Sequence, residues 1–243
     1  MKLEICPDIE TVSQIAAERL ATMIRAKPDL GIVVATGNTP MPVYAELVRM
    51  QARGEVDCRN LRVFQLDAYL GINDDDPRSL FGWMMRSFIT PLGIAPENVV
   101  RFAALPPDPP AECLSYAAKV RAMGGYDVAV LGLGPNGHLG FNEPPSADDA
   151  PTRVVALTEQ SVASNGHYWG GPDAVPRQAM TAGMDLLLSA RAILLVVTGS
   201  RKQIILNQTL HGPVTPQVPA SYLQTRPQAL ILADADAAGG KTA

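Results

Sequence analysis

Apolar positions along the chain follow two spacings. Between Thr11 and Ala26 they recur every three or four residues (Val12, Ile15, Ala16, Leu20, Met23 and Ile24), which predicts an amphipathic helix. In contrast, Val128-Ala129-Val130-Leu131 is an unbroken apolar run, bounded by glycine and too short for a helix. Such a run predicts a strand that is buried on both faces of a sheet.

These two patterns alternate along the rest of the chain. Strands are predicted at 30–35, 61–66, 127–133, 192–198 and 229–233, and helices at 11–26, 42–50, 79–89, 111–123, 175–189 and 201–210. The alternation predicts an α/β fold, a Rossmann-like three-layer sandwich with a mainly parallel sheet and helices on both faces. No linker or internal repeat divides the sequence, so we expect one α/β domain over residues 1–243.

Composition narrows the classes of function. The chain has 243 residues, 47% of them hydrophobic and 18% charged, which is enough for a sizeable core. Its net charge is −4 and no basic run exceeds two residues, so nucleic acid and membrane are not expected partners. The three cysteines, Cys6, Cys58 and Cys113, lie far apart, as in reduced cytoplasmic proteins. We therefore expect a cytoplasmic protein without a metal site.

The segment from Gly132 to Pro144 follows the predicted strand at 127–133. It places Asn136, His138 and Glu143 within eight positions. Ligands of open α/β sheets bind outside the carboxyl ends of the strands, where a His and a Glu are candidates for acid-base work. A glycine-rich turn with a surface His and Glu is the alternative, and the segment alone leaves both open.

The same segment contains Gly-x-Gly-x-x-Gly, a spacing that binds dinucleotides when it opens a helix. Here Pro135 interrupts the motif and Pro144-Pro145 ends the segment, so no helix is expected to start. A nicotinamide or flavin cofactor is therefore not predicted.

Polar groups also follow two earlier strands. The turn Gly37-Asn38-Thr39 precedes a predicted helix, whose free N–H groups could bind an anion, or it is a plain connecting turn. Asp67 follows a buried strand and is either a desolvated base or a helix cap. The acidic run Asp74-Asp75-Asp76 is expected to be a solvated loop, with metal binding as the minor alternative.

Lys202 lies in the first turn of the predicted helix at 201–210, directly after a strand. A cation is unfavourable at that end of the helix dipole. Its position therefore favours a functional role, and phosphate is the ligand that suits it.

Taken together, these segments resemble the glucosamine-6-phosphate deaminase/isomerase family, within the wider group that includes 6-phosphogluconolactonase. The segments that carry the resemblance occur in family order and are 35–40, 66–71, 132–144, 175–181 and 198–202. The lactonases are similar up to Gly137-His138 but lack the continuation Phe-Asn-Glu-Pro. Glu143 therefore favours a deaminase.

The resemblance implies a reaction and a role for each residue. A hexosamine 6-phosphate, such as glucosamine- or galactosamine-6-phosphate, would become a ketohexose 6-phosphate and ammonia. Asp67 would move a proton from C2 to C1, His138 would open the sugar ring, and Glu143 would help to position and tune that His. Asn136, at a position where related sequences carry Asp or Asn, is the fourth expected catalytic residue. The turn Gly37-Asn38-Thr39 and Lys202 would bind the phosphate. No cofactor is implied, a small sugar phosphate is the expected partner, and assembly into a homo-oligomer is left open.

Three positions depart from the family pattern. Ala68 replaces a second acid after Asp67, and Val155 replaces a basic residue of allosteric members. An Arg expected shortly before Val175 is absent from residues 164–168, where His167 is the candidate substitute. A lactonase-like hydrolase and a non-catalytic sugar-phosphate sensor are therefore the alternative functions.

Overall fold

The computed structural model describes residues 1–240, and every element named here lies in that range. The strands are β1 (Lys2–Cys6), β2 (Gly31–Val34), β3 (Arg62–Gln65), β4 (Asp67–Tyr69), β5 (Val99–Val100), β6 (Val128–Gly132), β7 (Arg153–Ala156), β8 (Gln178–Thr181), β9 (Ala192–Val197) and β10 (Ala229–Asp234). The α-helices are α1 (Ile9–Ala26), α2 (Met41–Ala52), α3 (Leu80–Met84), α4 (Pro109–Ala122), α5 (Glu159–Trp169), α6 (Met184–Leu188) and α7 (Gln203–His211). Helix α3 continues directly into a π-helical turn at Met85–Ile89.

Seven strands form one parallel sheet in the order β1-β10-β9-β6-β2-β3-β5. Its central strands are apolar throughout because both faces are covered. In β2, Val33 packs into the core formed with α4, α6 and α7, whereas Ile32 and Val34 pack into the core formed with α1 and α2. The predicted three-layer α/β architecture is therefore confirmed.

A second sheet of three antiparallel strands, in the order β4-β8-β7, lies beyond the carboxyl end of β3. Only Leu66 separates β3 from β4, and its carbonyl accepts a hydrogen bond from the Ala182 amide at 2.8 Å. The chain thus passes from the large sheet into the small one beside Asp67, the first residue of β4.

The helix predicted over residues 175–189 is wrong. Residues Gln178–Thr181 form β8, the middle strand of the small sheet, and a helix begins only at Met184. Gly183 lies between them against the backbone of a neighbouring loop, where a β-carbon would come within 2.4 Å of the Thr152 nitrogen. Pairing with strands distant in sequence has overridden the local helical spacing.

Helix α5 was not predicted, although its sequence contains both end signals. The Thr158 hydroxyl accepts a hydrogen bond from the Ser161 amide at 3.2 Å, as an N-cap residue does. At the other end, Gly170 adopts a left-handed conformation with φ of +79°. This helix forms part of the wall of the cavity described below.

The amino ends of the parallel strands meet at the buried carboxylate of Asp127. It accepts hydrogen bonds from the Gly31 amide and from Lys27 Nζ, each at 2.7 Å, and it pairs with Arg191. The guanidinium of Arg62 lies 3.6 Å away. Burial opposes ionisation of Asp127, but the bond with Lys27 and the other donors outweigh it and lower its pKa. One ionised carboxylate therefore joins the segments that lead into β2, β3, β6 and β9.

Two further observations concern the cysteines and the apolar character of the helices. The three cysteines, Cys6, Cys58 and Cys113, are buried free thiols. Within residues 1–240, no helix is both long enough and apolar enough to cross a lipid bilayer.

Candidate active site

A cavity of about 390 Å³ opens at the carboxyl ends of the parallel strands. Six residues predicted from the sequence line it: Gly37, Asn38, Thr39, Asp67, His138 and Lys202. They follow β2, β3, β6 and β9, which are neighbours in the large sheet. The fold therefore brings these distant segments together at one edge, as expected for an open parallel sheet.

Asp67 is 7% exposed and faces this cavity from the start of β4. Burial raises the pKa of Asp67 to about 7, because removal from water disfavours the charged carboxylate. A carboxyl group with such a pKa can both accept and return a proton near neutral pH. Asp67 does not cap a helix, so the structure favours the desolvated base over the alternative.

His138 and Glu143 are paired at the end of the glycine-rich segment. Nδ1 of His138 lies 3.3 Å from Oε2 of Glu143. A carboxylate only accepts hydrogen bonds, so this pairing assigns the Nδ1 proton and leaves Nε2 as the free acceptor. His138 lines the cavity, whereas Glu143 lies behind it and is 7% exposed.

Other donors converge on the same oxygen of Glu143. Nδ2 of Asn136 donates to Oε2 at 2.6 Å and the Thr158 hydroxyl donates at 3.2 Å. Burial opposes ionisation of Glu143, but the bond with His138 and its charge outweigh burial and lower the pKa of Glu143 to about 2. The carboxylate is therefore ionised at neutral pH and holds the imidazole in one tautomer.

Glycine is required where the His138 ring lies. A β-carbon at Gly134 would come within 2.1 Å of Cδ2 of His138 and 2.2 Å of Nε2. The Gly134 amide also donates to the His138 carbonyl at 3.0 Å, which closes the loop between them. Residues 133–152 form turns without a helix, as predicted for the segment that Pro135 interrupts.

The turn Gly37-Asn38-Thr39 precedes α2, which begins at Met41. Gly37 has φ of +113°, a conformation that side chains rarely adopt, so glycine is suited to this turn. The Asn38 amide donates to the Tyr168 hydroxyl at 3.2 Å. Backbone N–H groups at a helix start attract anions, and this turn lines the cavity.

Lys202 follows β9 and reaches back toward the glycine-rich segment. Its Nζ donates to the Leu133 carbonyl at 2.5 Å. Lys202 lines the same cavity as the 37–39 turn. Burial lowers the pKa of Lys202. An ammonium group that is half-buried with few partners gains from a bound anion.

The structure does not bring His167 into the site. It is exposed and does not line the cavity, and its Nδ1 donates to the Ser164 carbonyl at 2.8 Å. Its neighbour Tyr168 lines the cavity instead. The sequence did not predict helix α5. The position of each residue on this helix decides whether His167 or Tyr168 faces the cavity.

Two cationic residues of the cavity were missed in the sequence. Arg78 and Arg86 line it from the segment that includes α3 and the π-helical turn. Arg78 pairs with Asp76 at 2.7 Å and its guanidinium lies 4.5 Å from the centre of the Trp169 ring. Only the fold places this segment over the strand ends, so no local motif identified it.

The acidic run 74–76 takes part in ion pairs. Besides the Asp76–Arg78 pair, Asp74 lies 2.7 Å from Arg101. Within the described residues, no group of three or more His, Cys, Asp and Glu side chains could hold a metal ion.

Comparison with known proteins identifies the family. The family described as glucosamine-6-phosphate isomerases/6-phosphogluconolactonase matches residues 8–232. The glucosamine-6-phosphate deaminase of Thermoanaerobacter pseudethanolicus is 36% identical over 238 residues, covering 98% of this chain and 94% of that protein. That of Halothermothrix orenii is 37% identical over 238 residues, covering 98% and 99%.

Solved structures agree with the sequence relatives. A monomeric glucosamine-6-phosphate deaminase superposes with a TM-score of 0.96 at 35% identity, covering 99% of this chain and all of that one (100%). The 6-phosphogluconolactonase from Trypanosoma cruzi gives a TM-score of 0.80 at 19% identity, covering 100% and 97%. At that identity the likeness shows a common fold alone. The resemblance seen in the sequence is confirmed, and the chain belongs to the family of glucosamine-6-phosphate isomerases and 6-phosphogluconolactonases.

Proposed function

We propose that this chain is a hexosamine-6-phosphate deaminase/isomerase. It would convert an amino sugar 6-phosphate, glucosamine- or galactosamine-6-phosphate, to a ketohexose 6-phosphate and ammonia. The observation that carries the proposal is the pairing of His138 with ionised Glu143 in the cavity that also contains the buried Asp67. Relatives that are named glucosamine-6-phosphate deaminases over nearly their whole length support it.

The first step opens the sugar ring. With Nδ1 protonated toward Glu143, the free Nε2 of His138 accepts the proton of the C1 hydroxyl and returns it to the ring oxygen. The bond between C1 and the ring oxygen breaks, and C1 becomes an aldehyde. The negative charge of Glu143 stabilises the imidazolium that forms in between.

The second step moves a proton between neighbouring carbons. Ionised Asp67 removes the proton from C2, the electron pair of that bond forms the C1=C2 bond of an enolamine, and the carbonyl pair moves to O1, which takes a proton from water. The same carboxyl group then returns the proton to C1, while the nitrogen on C2 loses one proton to water and C2 becomes an imine. A pKa of about 7 suits Asp67 to both directions of this transfer.

Hydrolysis completes the reaction. Water adds to the imine carbon C2, and the resulting carbinolamine expels ammonia to leave a ketone. The steps are proton transfers and one addition of water, so the route requires no cofactor. Binding energy from the phosphate, held by Lys202 and the 37–39 turn, helps to fix C1 and C2 beside Asp67.

An ammonia-release assay with glucosamine-, galactosamine- and mannosamine-6-phosphate tests the proposal. We expect ammonia and a ketohexose 6-phosphate in equal amounts from at least one of them. Hydrolysis of a phosphosugar lactone without ammonia release would instead identify a lactonase. Tight binding of the sugar phosphates by calorimetry without turnover of any substrate would identify a sensor.

The assembly, the location and the domain organisation of the chain stay predictions. The solved relative with 35% identity is described as monomeric, and that description belongs to the relative. A cytoplasmic location and a single domain over residues 1–243 remain the expectations from the sequence.

A further inference from the structure

The cavity contains a cation with no acidic partner. Three cationic side chains line it, of which Arg78 is paired with Asp76 and Lys202 donates to a backbone carbonyl. Arg86 makes one hydrogen bond, from Nη2 to the Pro77 carbonyl at 2.7 Å. Within residues 1–240 no carboxylate lies within 4.0 Å of its guanidinium. The other N–H donors of Arg86 have no hydrogen-bond partner among the described residues.

Arg86 belongs to the wall next to the 37–39 turn. It follows Trp83 by three residues, and the indole Nε1 of Trp83 lies 3.0 Å from Sδ of Met41, the first residue of α2. The Trp83 ring also contacts Tyr168 edge to face at 5.0 Å, and the Tyr168 hydroxyl accepts the Asn38 amide. These contacts place the segment that includes Arg86 against the anion-binding turn.

The backbone makes room for this side chain. A β-carbon at Gly82 would lie 3.0 Å from Nη1 of Arg86 and 2.8 Å from the Ser79 hydroxyl, so the guanidinium lies across a glycine. Arg86 is in the π-helical turn Met85–Ile89, and such turns are frequent at functional sites.

We infer that Arg86 binds the phosphate of the substrate together with Lys202 and the 37–39 turn. The inference rests on the proposed function, because it names the residue that recognises the anionic end of that substrate. A planar guanidinium can donate two parallel hydrogen bonds to two phosphate oxygens, which an ammonium cannot. Residues 164–168, where the family pattern has an Arg, contain no guanidinium. Arg86 thus supplies a guanidinium to the site from another segment.

Calorimetric titration with two unreactive probes tests the inference apart from catalysis. Glucitol 6-phosphate retains the phosphate but has no carbonyl or amine to react, and inorganic phosphate is the minimal anion. Arg86→Gln should raise the Kd of both by about 10-fold, the low end for a charge-assisted bond because Arg86 is exposed. Arg86→Lys should raise it less, since the charge remains and the fork is lost. Arg59→Gln, which removes an exposed Arg paired with Asp57 outside the cavity, should leave both Kd values unchanged.

The outcomes separate this inference from the proposed function. Ammonia release by the unmodified protein with an unchanged Kd in Arg86→Gln would overturn the inference and leave the function standing. Binding that depends on Arg86, without ammonia release by the unmodified protein, would support the inference and overturn the proposed function. If Arg86→Gln does not fold and Arg86→Lys binds both probes with an unchanged Kd, Arg86 is a structural residue and the inference is overturned. The inference is also overturned if the unmodified protein binds neither probe.

Discussion

The imidazole of His138 lies so close to Gly134 that a β-carbon on Gly134 would come within 2.1 Å of Cδ2 of His138. The ring is held from two sides, by Gly134 beneath it and by Glu143 at Nδ1. Small changes on either side therefore act on the orientation of His138 rather than on the fold.

Gly134→Ala should lower turnover sharply while the protein stays folded. The added methyl group would displace the His138 ring, and a displacement of about 1 Å can cost about 10²-fold in rate. Steady-state kinetics combined with circular dichroism would measure both properties. Gly132→Ala is the matched control, because a β-carbon there would meet no atom within 4 Å, and it should lose far less activity. Equal losses in the two variants would contradict the role given to Gly134.

Asp67→Asn should lower turnover by about 10²–10⁴-fold, the usual contribution of a positioned acid-base group. Substrate affinity should change little, because the amide has nearly the same shape as the carboxyl group. In deuterated water the unmodified enzyme should place deuterium at C1 of the product, and this label should disappear together with activity. Turnover close to normal in the variant would rule out Asp67 as the base.

The same substitution should stabilise the protein in a pH-dependent manner. The pKa of Asp67 is about 7 in the folded chain and about 3.9 when unfolded, so the unfolded state ionises first. The contribution of the Asp67 carboxyl group to the free energy of unfolding is largest below about pH 4 and falls as the pH rises to about 7. Urea unfolding should therefore show a larger advantage of Asp67→Asn over the unmodified protein at pH 8 than at pH 5. Parallel stability curves would show that the carboxyl group is not desolvated.

Lys202→Ala should mainly raise the Michaelis constant. It removes a charge-assisted hydrogen bond to the phosphate, which corresponds to about 10–150-fold in affinity. Turnover at saturation should change far less, since Lys202 is proposed to contact the phosphate and not the reacting carbons. Lys119→Ala, which removes an exposed Lys of α4, is the control and should have no effect. An unchanged Michaelis constant in Lys202→Ala, with inorganic phosphate still a competitive inhibitor, would place the phosphate elsewhere.

The sequence was sufficient to predict the large sheet and the residues at its carboxyl edge. Strands such as β6 and β9 are continuous apolar runs because both of their faces are buried, so their ends are sharp in the sequence. The parallel arrangement then gathers the residues after each strand at one edge. Asp67, His138 and Lys202 were found in this way.

The small sheet and the side chains around it could not be predicted from local patterns. Strand β8 exists because it pairs with β4 and β7, which lie far away in sequence. Which residues of α5 face the cavity depends on how that helix packs, so the sequence favours His167 although its side chain is exposed and lies outside the cavity. Arg86 had no distinguishing motif, because it gains its role only where its segment meets α2 and Tyr168.

The cluster of cations around Asp127 has a consequence for how this scaffold can change. It fastens the amino ends of four strands, whereas the cavity uses only their carboxyl ends. Substitutions around the cavity can therefore redirect specificity without loosening the sheet, whereas loss of Asp127 would leave the buried Gly31 amide without its acceptor and weaken the sheet. Mutations should thus be tolerated better at the carboxyl ends of the strands than at their amino ends. Laboratory evolution for new sugar substrates should therefore vary residues at the carboxyl ends, around the cavity.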